Sequence, residues 1–261
     1  LSHMRGHIAA MEDLCALCDA QGVTIVEDCA HTMGARWNGV RSGNFGNVAC
    51  FSTQTYKHMN SGEGGFLTTS DADIMARATI LSGSYMLYEK HNARPRMEAY
   101  EVARLEMPNC SSRMDNLRAA ILRPQLKALD RNIERWNLRY RAMENAMRGS
   151  DAVSTIKRPE AEFYVGSSFQ FFVPEIWDES AIGAFIASCA SRGVELKWFG
   201  DANPVGFTSR YDSWTYASQQ DLPNTRSILH RLVDLRIPLS FDEADCTTIG
   251  KIICDVAGPA S

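Results

Sequence analysis

One lysine sits where a strand-like segment runs into a glycine-rich bend, in Phe51-Ser52-Thr53-Gln54-Thr55-Tyr56-Lys57-His58-Met59-Asn60-Ser61-Gly62-Glu63-Gly64-Gly65. Upstream, the run Val23-Thr24-Ile25-Val26 ends in Glu27-Asp28, followed by Cys29-Ala30-His31. An amine on lysine can condense with an aldehyde, and a carboxylate facing a pyridine nitrogen keeps that nitrogen protonated, so the ring serves as an electron sink. Lys57 and Asp28 are therefore suited to pyridoxal 5'-phosphate (PLP). Tyr56 and Met59 beside Lys57 predict partial burial, which draws a lysine toward its nucleophilic neutral form.

Each residue also has a plainer reading. Lys57 alone could be a solvated surface lysine. Asp28, at the carboxyl end of a strand where open α/β sheets bind ligands, could instead cap a helix or form a structural ion pair. Ala30 alternates back to the face of Asp28 and is small enough to lie under a flat ring. His31 could reach a ring hydroxyl or be a satisfied polar group. Ser52 is a candidate phosphate ligand or an ordinary strand-end serine. Asn109 and Arg113, in Pro108-Asn109-Cys110-Ser111-Ser112-Arg113, could be caps of the helix that follows.

The elements that must position these groups alternate between helix and strand. Ile8–Gln21 reads as an amphipathic helix closed by Gly22. Val23–Asp28 is a short β-rich run of the kind buried in parallel sheets, and Asn47–Ser52 and Phe66–Thr69 are further strands. Ser70-Asp71-Ala72-Asp73 resembles a capping box for a helix to about Leu81. Tyr88–Pro108 reads as a polar, basic surface loop, with Lys90–Arg104 a candidate contact to substrate or partner. Arg113 to Met147 is a long helical stretch, predicted to break near Pro124. Beyond it come a strand at Ser167–Val173, a helix at Glu179–Arg192 and a strand at Val194–Trp198. A helix at Asn224–Leu235 and a capping box at Ser240–Glu243 complete the pattern. The class is α/β. A boundary within 140–150 divides a domain of residues 1–145 from one of 146–261.

Composition narrows the function classes. Apolar residues make up 45% and charged residues 22%, with a formal net charge of -4, so nothing favours nucleic acid or an anionic membrane surface as a partner. No apolar run approaches the roughly 20 residues that span a bilayer, and a cytoplasmic location is the default expectation. The eight cysteines are too sparse for a secreted disulfide scaffold. Cys15-Ala16-Leu17-Cys18 lies in a helical pattern with no second pair to complete a zinc site, so reduced, buried thiols and no metal are expected. No GxGxxG or Walker pattern is present.

Together the segments resemble the DegT/DnrJ/EryC1/StrS family of PLP-dependent, fold type I aminotransferases. The resemblance rests on Glu27-Asp28-Cys29-Ala30-His31 with Gly34-Ala35, Asn38-Gly39, Ser42-Gly43, Phe51-Ser52, Lys57, Gly62-Glu63-Gly64-Gly65 and Asn109–Asp115. It is strongest over the first half of the chain. It implies a three-layer αβα large domain and a smaller C-terminal α/β domain. Lys57 would carry the Schiff base and move the donor Cα proton, Asp28 would hold the pyridine nitrogen, Ala30 would pack on the ring and His31 would sit near its 3'-oxygen. Ser52 would bind the phosphate, and Asn109 would reach the phosphate of a neighbouring subunit in a homodimer with shared sites. Lysine rather than histidine at position 57 implies transamination rather than sugar dehydration. The implied substrates are an amino donor, glutamate or glutamine, and a keto-sugar acceptor, nucleotide-linked as the first expectation, or a keto-cyclitol. Members are typically longer on the N-terminal side, which implies an N-terminally incomplete chain. A non-catalytic remnant that binds a partner chain, and a PLP-dependent dehydratase or epimerase, are the competing readings.

Overall fold

The computed structural model describes residues 1–84, 86–203 and 210–258, and these form two compact units. The first contains residues 1–133 and 159–165, the second 134–158 and 166–261. Along the chain run α1 (Met11–Ala20), β1 (Val26–Asp28), β2 (Arg36–Trp37), β3 (Val40–Arg41), β4 (Val48–Ser52), β5 (Gly65–Thr68), α2 (Ala72–Ser82), α3 (Glu98–Glu106) and α4 (Asn116–Met147). They continue with β6 (Ser154–Thr155), β7 (Glu162–Phe163), β8 (Ser168–Phe172), α5 (Glu179–Ser191), β9 (Lys197–Trp198), α6 (Pro223–Arg231), β10 (Leu232–Arg236) and α7 (Glu243–Ala257). No described helix is long and apolar enough to cross a membrane.

In the first unit β1, β4 and β5 form one sheet. Val26–Asp28 pair in parallel with Val48–Cys50, as the apolar β1 run predicts, whereas β4 and β5 are antiparallel with Ser52 opposite Gly65. The strand starts at Val26, not Val23. A second small sheet has the order β3-β2-β7. In the second unit the order is β6-β8-β10-β9, with every pairing antiparallel. Phe169, Phe171, Val233 and Leu235 fill its core with Ile182, Phe185 and Ile253 from α5 and α7.

Several sequence expectations need correction. The span 88–108 is not a loop: α3 occupies Glu98–Glu106, and Tyr88, Tyr100 and Ala103 are buried with Ala76 and Ile80 of α2. The abundant charges of this stretch hid its few apolar anchors. The long helix does not break at Pro124, since α4 runs from Asn116 to Met147 through it. Beside the proline, Gln125 Nε2 donates to Ile121 O at 3.1 Å, while the carbonyl that loses its backbone N–H donor to Pro124 is that of Ala120. Asn109 and Arg113 do not cap this helix; the Asp115 carboxylate accepts the Arg118 N–H at 2.8 Å. The helix expected to reach Leu235 ends at Arg231, and Leu232–Arg236 is the strand between β8 and β9. Pairing on both edges overrides local helical pattern there. Asp71, not Ser70, caps α2, accepting from the N–H groups of Asp73 and Ile74. Asp242, closed by Asp245, caps α7 in place of Ser240 and Glu243.

None of the eight cysteines is paired in a disulfide. Only Cys29, Cys189 and Cys246 are buried; Cys50 and Cys110 are exposed, and Cys15 and Cys18 are half-buried on α1.

Candidate active site

The β4–β5 ladder sets the position of Lys57. Beyond Ser52 the two chains stay paired through Thr53 N–H to Gly64 O and Thr55 N–H to Gly62 O, at 2.9 and 2.8 Å. Gly64 has φ +133, and a Cβ on Gly65 would lie 2.5 Å from Phe51 O. The ladder can close here only with glycine at these two places. Lys57 N–H donates to Gln54 O at 3.1 Å, which turns the chain at the tip of the hairpin. Tyr56 there adopts φ +76, a left-handed conformation costly for an aromatic residue.

A second support comes from α4. Gln125 Oε1 accepts the Asn60 N–H at 2.9 Å, and its Nε2 donates to Asn60 O at 2.7 Å. This two-way amide clamp ties the hairpin tip to a helix, so the lysine loop rests on a rigid element. Met59 and His58 are buried beneath it, whereas Tyr56 is 73% exposed, contrary to the expectation that it would help bury Lys57. Burial, and then the Lys57 charge, push the His58 imidazole down to about 4, so it is neutral at physiological pH.

Lys57 is itself half-buried, with Nζ 3.2 Å from His31 Nε2. His31 follows the end of β1, where Cys29 N–H bonds Cys50 O and Thr32 N–H bonds Cys29 O. Asp28 closes the strand and is exposed; its Oδ1 accepts the Ala30 N–H at 3.0 Å, an Asx-turn. Ala30 is thus placed by a turn and not by strand alternation. Burial alone would raise the Asp28 carboxyl. The Ser2 hydroxyl, the Ala30 N–H and the charges of His31 and Lys57 outweigh it and hold the group below the usual carboxylate range. Asp28, His31 and Lys57 therefore share one electrostatic site at the carboxyl ends of β1 and β4.

Ser52 ends β4 half-buried, and its Oγ accepts the Gln54 N–H at 3.2 Å, leaving the hydroxyl proton to donate. Asn109 lies in a different cluster. Its Oδ1 accepts the Ser111 N–H at 2.8 Å, beside Gly83, whose carbonyl receives Arg113 Nη1 at 2.7 Å.

Sequence reasoning missed the inner face of β1. Glu27 is fully buried, and its carboxylate accepts N–H bonds from Gly43, Phe45 and Gly46 at 2.7 to 2.8 Å, with His3 Nε2 at 3.2 Å. Burial would raise it, but His3 and those three amides hold it at about 2. Cys29 joins His3 and Glu27 in a group of potential metal ligands, yet the Glu27 oxygens are already committed to backbone donors and the Cys29 thiol is pushed up to about 12 by burial. The cluster is built as an anchor for the 43–46 turn. A glutamate one residue before a strand-end aspartate, followed by Gly43 and Gly46, is the signal that could have pointed to it.

The site's chemistry fits PLP: an amine, an ionised carboxylate, a histidine and a strand-end hydroxyl with a neighbouring amide sit on two adjacent strand ends. Comparison with known proteins points the same way. L-glutamine:2-deoxy-scyllo-inosose aminotransferase of Streptoalloteichus tenebrarius is 33% identical over 129 residues, 49% of this chain and 30% of that protein. dTDP-3-amino-3,4,6-trideoxy-alpha-D-glucose transaminase of Streptomyces venezuelae is 34% identical over 142 residues, 54% of this chain and 33% of that protein. The chain spans only 30 to 43% of the leading curated relatives it matches. In fold it resembles the solved structure of DesV from S. venezuelae, with a TM-score of 0.77 at 23% identity, covering 100% of this chain and 65% of that one. The model of the DegT/DnrJ/EryC1/StrS aminotransferase family matches residues 1–254, and the chain belongs to that family.

Proposed function

We propose that this chain carries the catalytic core of a PLP-dependent aminotransferase that moves an amino group from glutamine or glutamate to a keto-sugar or keto-cyclitol. The observation that carries the reading is the meeting of Lys57, His31 and Asp28 at the ends of β1 and β4, within a family match that runs nearly the whole chain. PLP, when bound, supplies an aldehyde for amines and a ring that takes up electron density.

The protein's share of the work follows from its own groups. Asp28 stays ionised and offers a carboxylate to a cationic N–H, a charge-assisted pair worth about 1.5–3 kcal/mol. With the cofactor bound, Lys57 Nζ would be the amine that holds its aldehyde, and as a free amine it would be the base for the Cα proton of the amino donor. The His31 imidazole, with Nε2 3.2 Å from Lys57 Nζ, hydrogen-bonds the amine and holds Nζ over the strand ends. Ala30 offers a small surface against a flat ring. The Ser52 hydroxyl and nearby amides offer donors to a phosphate. Asn109, exposed on its own chain, serves the phosphate of a second protomer in a homodimer with shared sites. Relatives named for a glutamine donor with a cyclitol and for a dTDP-linked amino sugar support the substrate classes.

Borohydride reduction of the protein with PLP tests the reading. A pyridoxyl group on the peptide containing Lys57 is the expected result, and a Lys57 left unlabelled removes it. Release of the donor's 2-oxo acid in step with acceptor amination then separates transamination from dehydration.

A further inference from the structure

Residues 1–3 lie alongside β1. Leu1 N donates to Val26 O at 2.9 Å, Asp28 N to Leu1 O at 2.8 Å and His3 N to Asp28 O at 3.1 Å, so Ser2 pairs in parallel with Asp28. This register puts the Ser2 and Asp28 side chains on one face and sends His3 to the other. There His3 is 1% exposed against the buried Glu27. The segment is thus pinned by a buried neighbour, while Ser2 itself is exposed.

The consequence falls on the Asp28 carboxylate. Ser2 Oγ donates to Oδ2 at 2.7 Å, and the Ala30 N–H donates to Oδ1 at 3.0 Å. One donor on each oxygen fixes the rotation of the carboxylate about Cβ–Cγ, and each carboxylate oxygen keeps a second acceptor position. We propose that Ser2 is a positioning residue for Asp28: its hydroxyl aims the carboxylate at a cationic ring N–H. This rests on the functional reading above. Ser2 acts through Asp28 and need not touch cofactor or substrate. The other charged groups facing Asp28 are His31 and Lys57, with the Cys29 thiol nearby, and none of them takes over the Ser2 bond to Oδ2.

The test compares the full chain with Ser2→Ala and Ser2→Thr. Carbon-13 NMR of the carboxyl groups, assigned with Asp28→Asn, follows the Asp28 titration without cofactor. Asp28 is expected to protonate at higher pH in Ser2→Ala and to return toward the parent value in Ser2→Thr, which restores the hydroxyl. Retention of PLP should weaken about tenfold in Ser2→Ala, near the size of one hydrogen bond to a charged group, with circular dichroism unchanged. A merely structural serine would not move one carboxyl selectively. An unshifted Asp28 titration together with a labelled Lys57 overturns the role of Ser2 alone. A shifted titration together with an unlabelled Lys57 overturns the functional reading and with it the purpose assigned to this bond.

Discussion

The two faces of β1 carry adjacent carboxylates with opposite fates. Glu27 points inward, is fully buried and gives both oxygens to backbone N–H groups and His3. Asp28 points to the exposed face, keeps acceptor positions open and lies within the field of His31 and Lys57. Both are held below the usual carboxylate range, so a depressed pKa does not tell them apart. What differs is unspent hydrogen-bonding capacity. A buried charge whose acceptor positions are taken up by donors of the fold is structural, whereas a charge at a strand end with capacity to spare can receive a ligand. In the second unit, Asp234 on β10 is likewise buried, at 2% exposure, and accepts a 2.6 Å bond from the Gln170 side-chain amide.

The sharpest way to break this contrast is to empty the exposed face. Lys57→Ala should remove borohydride labelling and lower turnover by about 10²–10⁴-fold, the range for losing a positioned proton-transfer group, with no change in melting temperature. Residual turnover near the parent level would move the chemistry to another amine. Asp28→Asn comes next. It keeps shape but loses charge, and turnover should fall about 10- to 100-fold, the equivalent of one charge-assisted hydrogen bond. If Asp28→Asn instead cost stability and spared turnover, the two faces of β1 would have exchanged roles.

Glu27→Gln probes the inner face and should show the reverse profile. The folded-state value of about 2 lies below the ordinary 4.5. The carboxylate therefore contributes stability that is complete above about pH 4.5 and is lost as pH falls toward 2. The size is about 3 kcal/mol. Glu27→Gln should lose most of it at neutral pH and flatten the acid limb of the unfolding curve between those values. Denaturant melts from pH 2 to 7 check this. An acid limb as steep as the parent's would assign the acid sensitivity elsewhere.

How far the molecule was legible follows from where its information lies. β1, β4 and β5 could be read because their apolar runs are short, local and bounded by Asp28, Ser52 and Gly65. Lys57, Asp28 and Ser52 could be picked out because residue type and strand-end position coincide in the sequence. β10 could not, since Leu232–Arg236 becomes a strand through partners at Phe169–Phe172 and Lys197–Trp198, far away along the chain. α3 was hidden because Tyr100 and Ala103 are few among charges and find their core only against α2. The Gln125 clamp and the His3–Glu27 pair were illegible for the same reason. Each joins residues distant in sequence, and neither partner's type announces the other.

The smallest expected effect sharpens the role of His31. Its ring lies 3.2 Å from Lys57 Nζ, close enough to be a proton relay or only a rest for the amine. Glutamine separates these readings, since its Oε1 can accept from an ammonium but the amide cannot carry a proton at neutral pH. If His31 orients Lys57 by a hydrogen bond, His31→Gln should change turnover by no more than about fivefold, the worth of one ordinary hydrogen bond. Asp28 should then titrate at slightly higher pH, because the imidazole charge that helps hold it low is gone. A loss beyond about 100-fold, within the range of general acid–base catalysis, would make His31 a proton carrier and place the reactive cluster on two side chains of the exposed face rather than on Lys57 alone.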